Sequence, residues 1–179
     1  MNKAIRTAAL SAATLAALCS SGAASAAWTF SDDTGSASIS GAFPSFTITG
    51  GDDLSFRADL AQYTQVFTSV QTISFSWTYA SEDCCGSVWD PAGYVLNGVL
   101  NQLSVDNRTG LGSSGTASVA VAAGDVFGWY VFTPDSEQGP GVLSVAVDSV
   151  GVVPEPTGLA LLLAGIGAFG LIGFRRRQR

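Results

Sequence analysis

The alternation of side chains in residues 72–81, "TISFSWTYAS", constrains the fold more than any other feature of the sequence. Large apolar side chains stand at every second position, Ile73, Phe75, Trp77 and Tyr79, with Ser, Thr or Ala between them. Successive side chains of a β-strand point to opposite faces, so a period of two predicts a strand with one covered face. This segment is therefore expected in a sheet that packs against a core.

Further segments show β patterns separated by turn residues. Apolar residues alternate with small or polar ones in residues 45–49, 117–121 and 142–150. Residues 125–132, "DVFGWYVF", are almost continuously apolar, which predicts a strand buried on both faces. Asn97-Gly98 lies between two apolar runs and is typical of a two-residue type I′ hairpin turn.

Residues 59–70 give a mixed signal. "TQVFTSV" at 64–70 is a weaker strand pattern, whereas the overlapping "DLAQYTQVF" at 59–67 could hold one turn of helix. The sequence shows no internal repeat. About eight short strands, separated by Gly, Ser, Asp and Pro, predict one all-β domain at residues 27–153, an antiparallel β-sandwich or jelly roll.

The charge distribution excludes several classes of function. Residues 27–153 contain 11 Asp and 2 Glu against Arg57 and Arg108, which leaves a formal charge of −11. Such a domain repels nucleic acids and attracts cations. The alternative is that the charge only keeps an exported protein soluble. The chain has no His, which excludes Ser-His-Asp triads, Cys-His pairs and histidine-ligated zinc. Carboxylate chemistry stays open.

The first 26 residues have the pattern of a secretory signal peptide. Lys3 and Arg6 precede a short apolar run, and the small residues "ASA" end at Ala26, where cleavage is predicted. An uncleaved anchor is the alternative. Cys19 also suggests a lipoprotein signal, but Leu18 occupies a position where such a signal has a small residue.

The last 26 residues, 154–179, have the pattern of a membrane segment. Residues 157–174 are 18 uncharged, mostly apolar positions, long enough for a short transmembrane helix. Arg175, Arg176 and Arg177 follow, and a basic cluster of this kind stays on the cytoplasmic side. The acidic domain is then expected to face outward, and an ordinary single-span anchor is the simplest interpretation.

The same segment resembles the PEP-CTERM sorting signal of Gram-negative bacteria. Pro154, Glu155 and Pro156 precede the apolar stretch, and the arginine cluster follows it, in the order of that family. The resemblance implies that these three residues are the processing motif and that an exosortase in the inner membrane is the partner. It also implies inner-membrane anchoring before processing, a cell-surface or extracellular destination, and an exopolysaccharide or biofilm environment.

Cys84 and Cys85 are adjacent in the acidic stretch "EDCCGSVWDP". Export to an oxidising compartment favours a disulfide. Neighbouring Cα atoms are only about 3.8 Å apart across a trans peptide, shorter than the roughly 4.4–6.8 Å of ordinary disulfides. The leading hypothesis is a strained bond that stiffens the turn. The alternatives are two thiols and bridges between separate molecules.

The order of strands and acidic residues also resembles a CUB-like sandwich. "SWTYASEDCCGSVWDPAGYVLNG" places an acidic residue after a strand and an Asp before the next strand, and "GDVFGWYVFTPDSEQGPGVLSV" places another Asp in a later loop. The resemblance implies a calcium site formed by Glu82, Asp90 and Asp135. Calcium prefers several oxygen ligands that converge from loops. The alternative is an exposed acidic loop.

Aromatic residues flank the same loop. Trp77 and Tyr79 belong to the core face of a predicted strand, whereas Trp89 is the better candidate for exposure and for stacking on a sugar ring. The sequence thus favours an exported, non-enzymatic structural or binding protein, with calcium as the candidate cofactor and exopolysaccharide as the candidate ligand. The alternative is a small hydrolase that pairs Glu82 with Asp90 or Glu137.

Overall fold

A computed structural model describes residues 27–84, 86–106 and 112–152, and these residues form strands, turns and loops. Among them there is no apolar helix of membrane-spanning length. The predicted signal peptide at 1–26 lies outside the described residues. So does the predicted sorting segment at 154–179, with its processing motif, its helix at 157–174 and its arginine cluster.

Ten strands make up the fold. Their bounds are β1 (Thr29–Ser31), β2 (Ser38–Ala42), β3 (Ser45–Thr49), β4 (Asp59–Val66), β5 (Gln71–Ser81), β6 (Ala92–Leu96), β7 (Val99–Gln102), β8 (Gly112–Val121), β9 (Val126–Thr133) and β10 (Gly141–Val152). They form two five-stranded sheets, in the orders β1-β4-β9-β6-β7 and β2-β3-β10-β5-β8. All neighbouring strands are antiparallel. The predicted antiparallel β-sandwich is confirmed.

The prediction of about eight strands missed short elements at the sheet edges. β1 has three residues and β2 has five, and neither lies in a predicted strand segment. Segments this short carry too few positions for a period of two to stand out from their surroundings. Their strand conformation is fixed by hydrogen bonding to a neighbouring strand, β4 for β1 and β3 for β2.

β5 lies between β10 and β8 in the second sheet, and its alternation is the one that the sequence predicts. Ile73, Phe75, Trp77 and Tyr79 are buried, while the residues between them are half-buried or exposed. β10 pairs with β5 along its full length, with one register shift between Val147 and Ser149.

The weaker strand pattern at 64–70 overlaps the end of β4, which is extended throughout Asp59–Val66, so the turn of helix that residues 59–67 could have held does not form. The register of β4 with β9 runs from Asp59 opposite Thr133 to Val66 opposite Val126. Alternate β4 residues, including Ala61 and Tyr63, enter the core. Pairing with β9 and burial of these side chains override the weak local helical preference.

Two finer predictions about β9 and the hairpin are confirmed. Residues 127–131 of β9 are all buried, as the continuous apolar run predicts. Asn97 and Gly98 have φ values of 53° and 79°, the left-handed conformation that a type I′ turn requires. The Asn97 side chain also donates to Asp125 Oδ1 (2.8 Å) and accepts from the Val126 backbone N–H (2.9 Å).

Aromatic side chains fill the space between the sheets. Trp129 of β9 is fully buried, and its ring centroid lies 4.9–5.3 Å from those of four other aromatic residues. These four are Trp28, Phe46, Phe75 and Phe127. Two of these contacts, those of Phe46 and Phe75, join residues of opposite sheets, so they fix the separation of the two layers.

Three loops meet at one end of the sandwich. They are residues 50–58, 82–91 (without residue 85) and 134–140, and this end is called the three-loop end below. β10 begins at the three-loop end, where Gly141 pairs with Ser81, and finishes at Val152 opposite Gln71. The described chain therefore leaves the sandwich at the opposite end.

Candidate functional site

Backbone hydrogen bonds tie the loops of the three-loop end together. The N–H of Leu54 donates to Ser136 O (2.9 Å), and the N–H of Glu82 donates to Pro140 O (3.0 Å). The Cys84 N–H donates to Gln138 O (3.3 Å). The loop at 134–140 thus lies between the other two and connects them.

Asp90 is the buried centre of this end, with only 1% of its surface exposed. The Ser81 hydroxyl donates to its Oδ2 (3.3 Å), and the Tyr79 hydroxyl donates to its backbone carbonyl (2.6 Å). The first residue of β10 approaches it so closely that a Cβ on Gly141 would stand 2.7 Å from the Asp90 Cβ. A larger residue at position 141 would push Asp90 out of place.

The surroundings of Asp90 favour its neutral form. The pKa of its carboxyl is raised to about 6, mainly by burial. The nearby charges of Asp83 and Asp135 contribute to this rise, and the Thr133 and Ser81 hydroxyls oppose it. The same burial, together with the charge of Asp90, raises the pKa of Tyr79. Near neutral pH this end of the protein therefore holds an ionised carboxylate in an unfavourable environment.

Two polar atoms near Asp90 are buried without a hydrogen-bond partner among the described residues. They are Oδ1 of Asp135 and Oγ1 of Thr133, whose residue is fully buried. The Thr133 hydroxyl lies near enough to stabilise the charge on Asp90, but it makes no hydrogen bond of standard geometry to it. A buried oxygen without a partner carries a free-energy penalty of about 1–3 kcal/mol, which a ligand can remove.

The three predicted calcium ligands, Glu82, Asp90 and Asp135, differ in how far they are exposed to solvent. Asp135 lies close enough to Asp90 for its charge to raise the Asp90 pKa, whereas Glu82 is exposed to solvent. Asp83, only 3% exposed, is the acidic residue that joins them, and its N–H donates to Ser81 Oγ (3.1 Å). Within residues 27–84, 86–106 and 112–152, no three Cys, Asp or Glu side chains are already placed to hold a metal ion.

The exposure expected for Trp89 is confirmed. Its side chain is 44% exposed, while Trp77 and Tyr79 are 7% and 3% exposed in the core. Tyr94 is half-buried and packs on Phe127, with ring centroids 6.0 Å apart. Among these four aromatic residues near the acidic loop, only Trp89 presents a large surface to solvent.

Two exposed apolar residues of the first loop were missed by the sequence reasoning. Leu54 is 66% exposed and Phe56 is 73% exposed, and both adopt left-handed backbone conformations with φ near 60°. That conformation is unfavourable for bulky residues. Ser136 braces the loop, because its backbone carbonyl accepts from Leu54 N–H and its hydroxyl donates to Arg57 O (2.8 Å).

A third buried carboxylate, Asp59, has a structural role at the start of β4. It is 1% exposed and accepts hydrogen bonds from the backbone N–H groups of Asp33 (2.9 Å) and Thr34 (3.1 Å). Gly51 lies against it, where a Cβ would stand 2.5 Å from the Asp59 Oδ2. Asp59 thus joins residues 33–36 to the three-loop end.

Cys84 is exposed, and its Sγ lies 2.8 Å from the side-chain oxygen of Gln138. Cys85 lies outside the described residues. The disulfide between Cys84 and Cys85 stays a prediction.

The C-terminal segment matches a known motif. Residues 152–177 match the PEP-CTERM protein-sorting motif. The chain carries the sorting signal of an exosortase substrate. The resemblance predicted from Pro154, Glu155, Pro156 and the segments that follow them is therefore confirmed, and the motif implies an exported protein that is anchored in the membrane before cleavage.

Comparison with solved structures identifies similar proteins, including "CBM35 from Cellvibrio japonicus Abf62". That match has 16% sequence identity and a TM-score of 0.36, and it covers 74% of this chain and 93% of that chain. Comparison with curated proteins gave no match.

The raised pKa of Asp90 makes stability depend on pH. Because its folded-state pKa is about 6 against an ordinary value of 3.8, the folded protein retains a proton that the unfolded chain releases. Stability is therefore lost as pH rises through this window, by up to about 3 kcal/mol. Asp90→Asn should remove this loss and make the protein more stable than wild type near neutral pH in the presence of a chelator.

Urea unfolding with EDTA at about pH 4 and about pH 7 measures the effect. Asp148→Asn changes an exposed carboxylate of β10 and is the matched control. Equal pH dependence in Asp90→Asn and wild type would contradict the assignment of the strained charge to Asp90.

Proposed function

We propose that this exported protein is a non-enzymatic binding protein of the cell surface or extracellular matrix, whose three-loop end binds exopolysaccharide and is ordered by calcium. One observation carries the proposal: the three-loop end combines exposed apolar side chains with carboxylates that are buried or half-buried. The apolar residues are Leu54, Phe56 and Trp89, and the carboxylates are Asp83, Asp90 and Asp135.

The direction of β10 supports an outward orientation of this surface. Its 12 residues run from Gly141 at the three-loop end to Val152, and the sorting motif begins at residue 152. At about 3.4 Å per residue, the strand spans roughly 40 Å. In the anchored precursor, the three-loop end is therefore expected to lie far from the membrane, where polysaccharide is accessible.

The electrostatics of the carboxylates support a cation. Asp83, Asp90 and Asp135 concentrate negative charge in a region of low exposure, and a divalent cation would offset both their repulsion and the desolvation of Asp90. The unpartnered oxygens of Asp135 and Thr133 have the hard-oxygen chemistry that calcium prefers. Binding requires a local movement of the loops that brings these oxygens together.

Exposed aromatic surface beside carboxylates supports a sugar ligand. The faces of Trp89 and Phe56 offer apolar surface for the C–H face of a sugar ring, and the neighbouring exposed carboxylates of Glu82 and Asp53 offer hydrogen-bond acceptors for hydroxyl groups. The hydrolase alternative that pairs Glu82 with Asp90 is not favoured, because Asp90 is 1% exposed and does not reach a substrate in this fold.

Calcium should raise the melting temperature of the purified exported protein. Stabilisation by a ligand grows as RT ln(1 + [L]/Kd), so saturating calcium is expected to raise it by about 5 °C or more relative to EDTA. Asp90→Asn and Asp135→Asn should abolish the rise, and Asp148→Asn should keep it. Calorimetric scans that coincide with and without millimolar calcium would remove calcium from the account.

Polysaccharide binding should depend on the exposed aromatic residues of the three-loop end. Trp89→Ala and Phe56→Ala are each expected to weaken binding to exopolysaccharide from the producing cells by about tenfold, because an aromatic anchor at the centre of an interface contributes more than about 1 kcal/mol. Biolayer interferometry measures the affinities.

Val99→Ala is the matched control for these variants. Val99 is 62% exposed but follows the Asn97-Gly98 turn, away from the three-loop end. If Val99→Ala weakens binding as much as Trp89→Ala and Phe56→Ala do, the ligand is not bound at the three-loop end.

A further inference from the structure

The two sheets have four edge strands, and one of them differs from the rest. β1, β2 and β7 have three, five and four residues, whereas β8 has ten. Short edges offer few backbone groups to another chain, which is one way in which β-proteins avoid unwanted pairing. β8 is the long edge of the described fold.

β8 also lacks the other features that protect an edge. Its sequence "GSSGTASVAV" contains no charged residue and no proline. β8 pairs continuously with β5 from Gly112 to Val121, with no register shift in that ladder. In an antiparallel edge strand, about half of the backbone N–H and C=O groups point away from the neighbour and are available to a further strand.

The absence of charge from β8 is unusual in this chain. The domain at residues 27–153 carries a formal charge of −11, so two copies repel each other over most of their surfaces. Residues 112–121 are a stretch along which two copies can approach without placing like charges opposite each other. The carboxylate of Asp148 on the same sheet lies on β10, two strands away from the edge.

The exposed face of β8 carries hydroxyl groups that can pair with the same groups of a second β8 strand. Ser114, Thr116 and Ser118 are exposed on one face of the strand. Hydroxyl groups already pair across neighbouring strands of this sheet, Ser74 with Ser118 at 2.8 Å and Thr47 with Ser144 at 2.9 Å. Antiparallel pairing of two β8 strands places residues of the same face opposite each other, so the same hydroxyl contacts can form between copies.

We propose that β8 is a self-association edge, at which the β8 strands of two copies pair antiparallel across a two-fold axis. The β2-β3-β10-β5-β8 sheet of each copy would then join that of the other copy in one continuous ten-stranded sheet. A second copy is the partner that fits this edge, because β8 carries no charge and its exposed hydroxyl groups can pair with the same groups of another β8 strand. The interface runs along the side of the sandwich, so the dimer presents two copies of the three-loop end.

The test compares two lysine substitutions in the full-length chain in detergent. Thr116→Lys places like charges against each other in the middle of the paired edge, whereas Thr78→Lys places the same charge on the exposed face of β5, one strand inward. Sedimentation velocity should show a wild-type dimer. Thr116→Lys should weaken dimerisation at least tenfold, and Thr78→Lys should leave it unchanged.

A photo-crosslinking residue at Ser114 tests the contact itself. It should give a covalent dimer in the full-length chain, and the same residue at Thr78 should not. Melting curves of the two lysine variants check that both are folded. A monomeric wild type, a dimer that Thr116→Lys leaves intact, or a crosslink from position 114 within a single chain would each overturn the proposal.

Discussion

Trp129 packs, fully buried, against four other aromatic rings, and this cluster holds the two sheets at a fixed distance and orientation. The positions of the strand ends depend on that packing, and the loops that follow them depend on the strand ends. Ser81 and Thr133 stand at the last positions of β5 and β9, one in each sheet, and both flank Asp90. The candidate site therefore joins the two sheets at one end of their shared core.

The core stabilises the folded protein, whereas the three-loop end contains groups that destabilise it. Burial of aromatic surface stabilises the sandwich, whereas burial of Asp90 beside Asp83 and Asp135 costs free energy at neutral pH. Leu54 and Phe56 add backbone strain and leave apolar surface in water. Unfavourable features of this kind collect at functional sites, where a ligand can offset them. Their concentration at one end supports the proposal that this end binds.

The sequence predicts the parts of the fold that depend on local pattern. The alternation of β5, the continuous apolar run of β9 and the Asn97-Gly98 turn are each encoded within a few residues. β4 is not, because its extended form depends on pairing with β9. The candidate site is harder still. β5 ends at Ser81, and the sequence does not show that its alternation continues far enough to turn Asp83 inward and Glu82 outward. The exposure of Phe56 depends on how a distant residue, Ser136, braces its loop.

The sequence pointed to Asp90 and Asp135 through the resemblance to a CUB-like sandwich, and to Trp89 through its place beside the acidic loop. Hydrogen–deuterium exchange of the exported protein, with and without calcium and exopolysaccharide, tests most directly whether these residues belong to a binding surface. The account predicts that added ligand slows exchange in residues 50–58, 82–91 and 134–140 and leaves the turns at 97–98 and 122–125 unchanged. Protection at those turns, or at neither end of the sandwich, would contradict it.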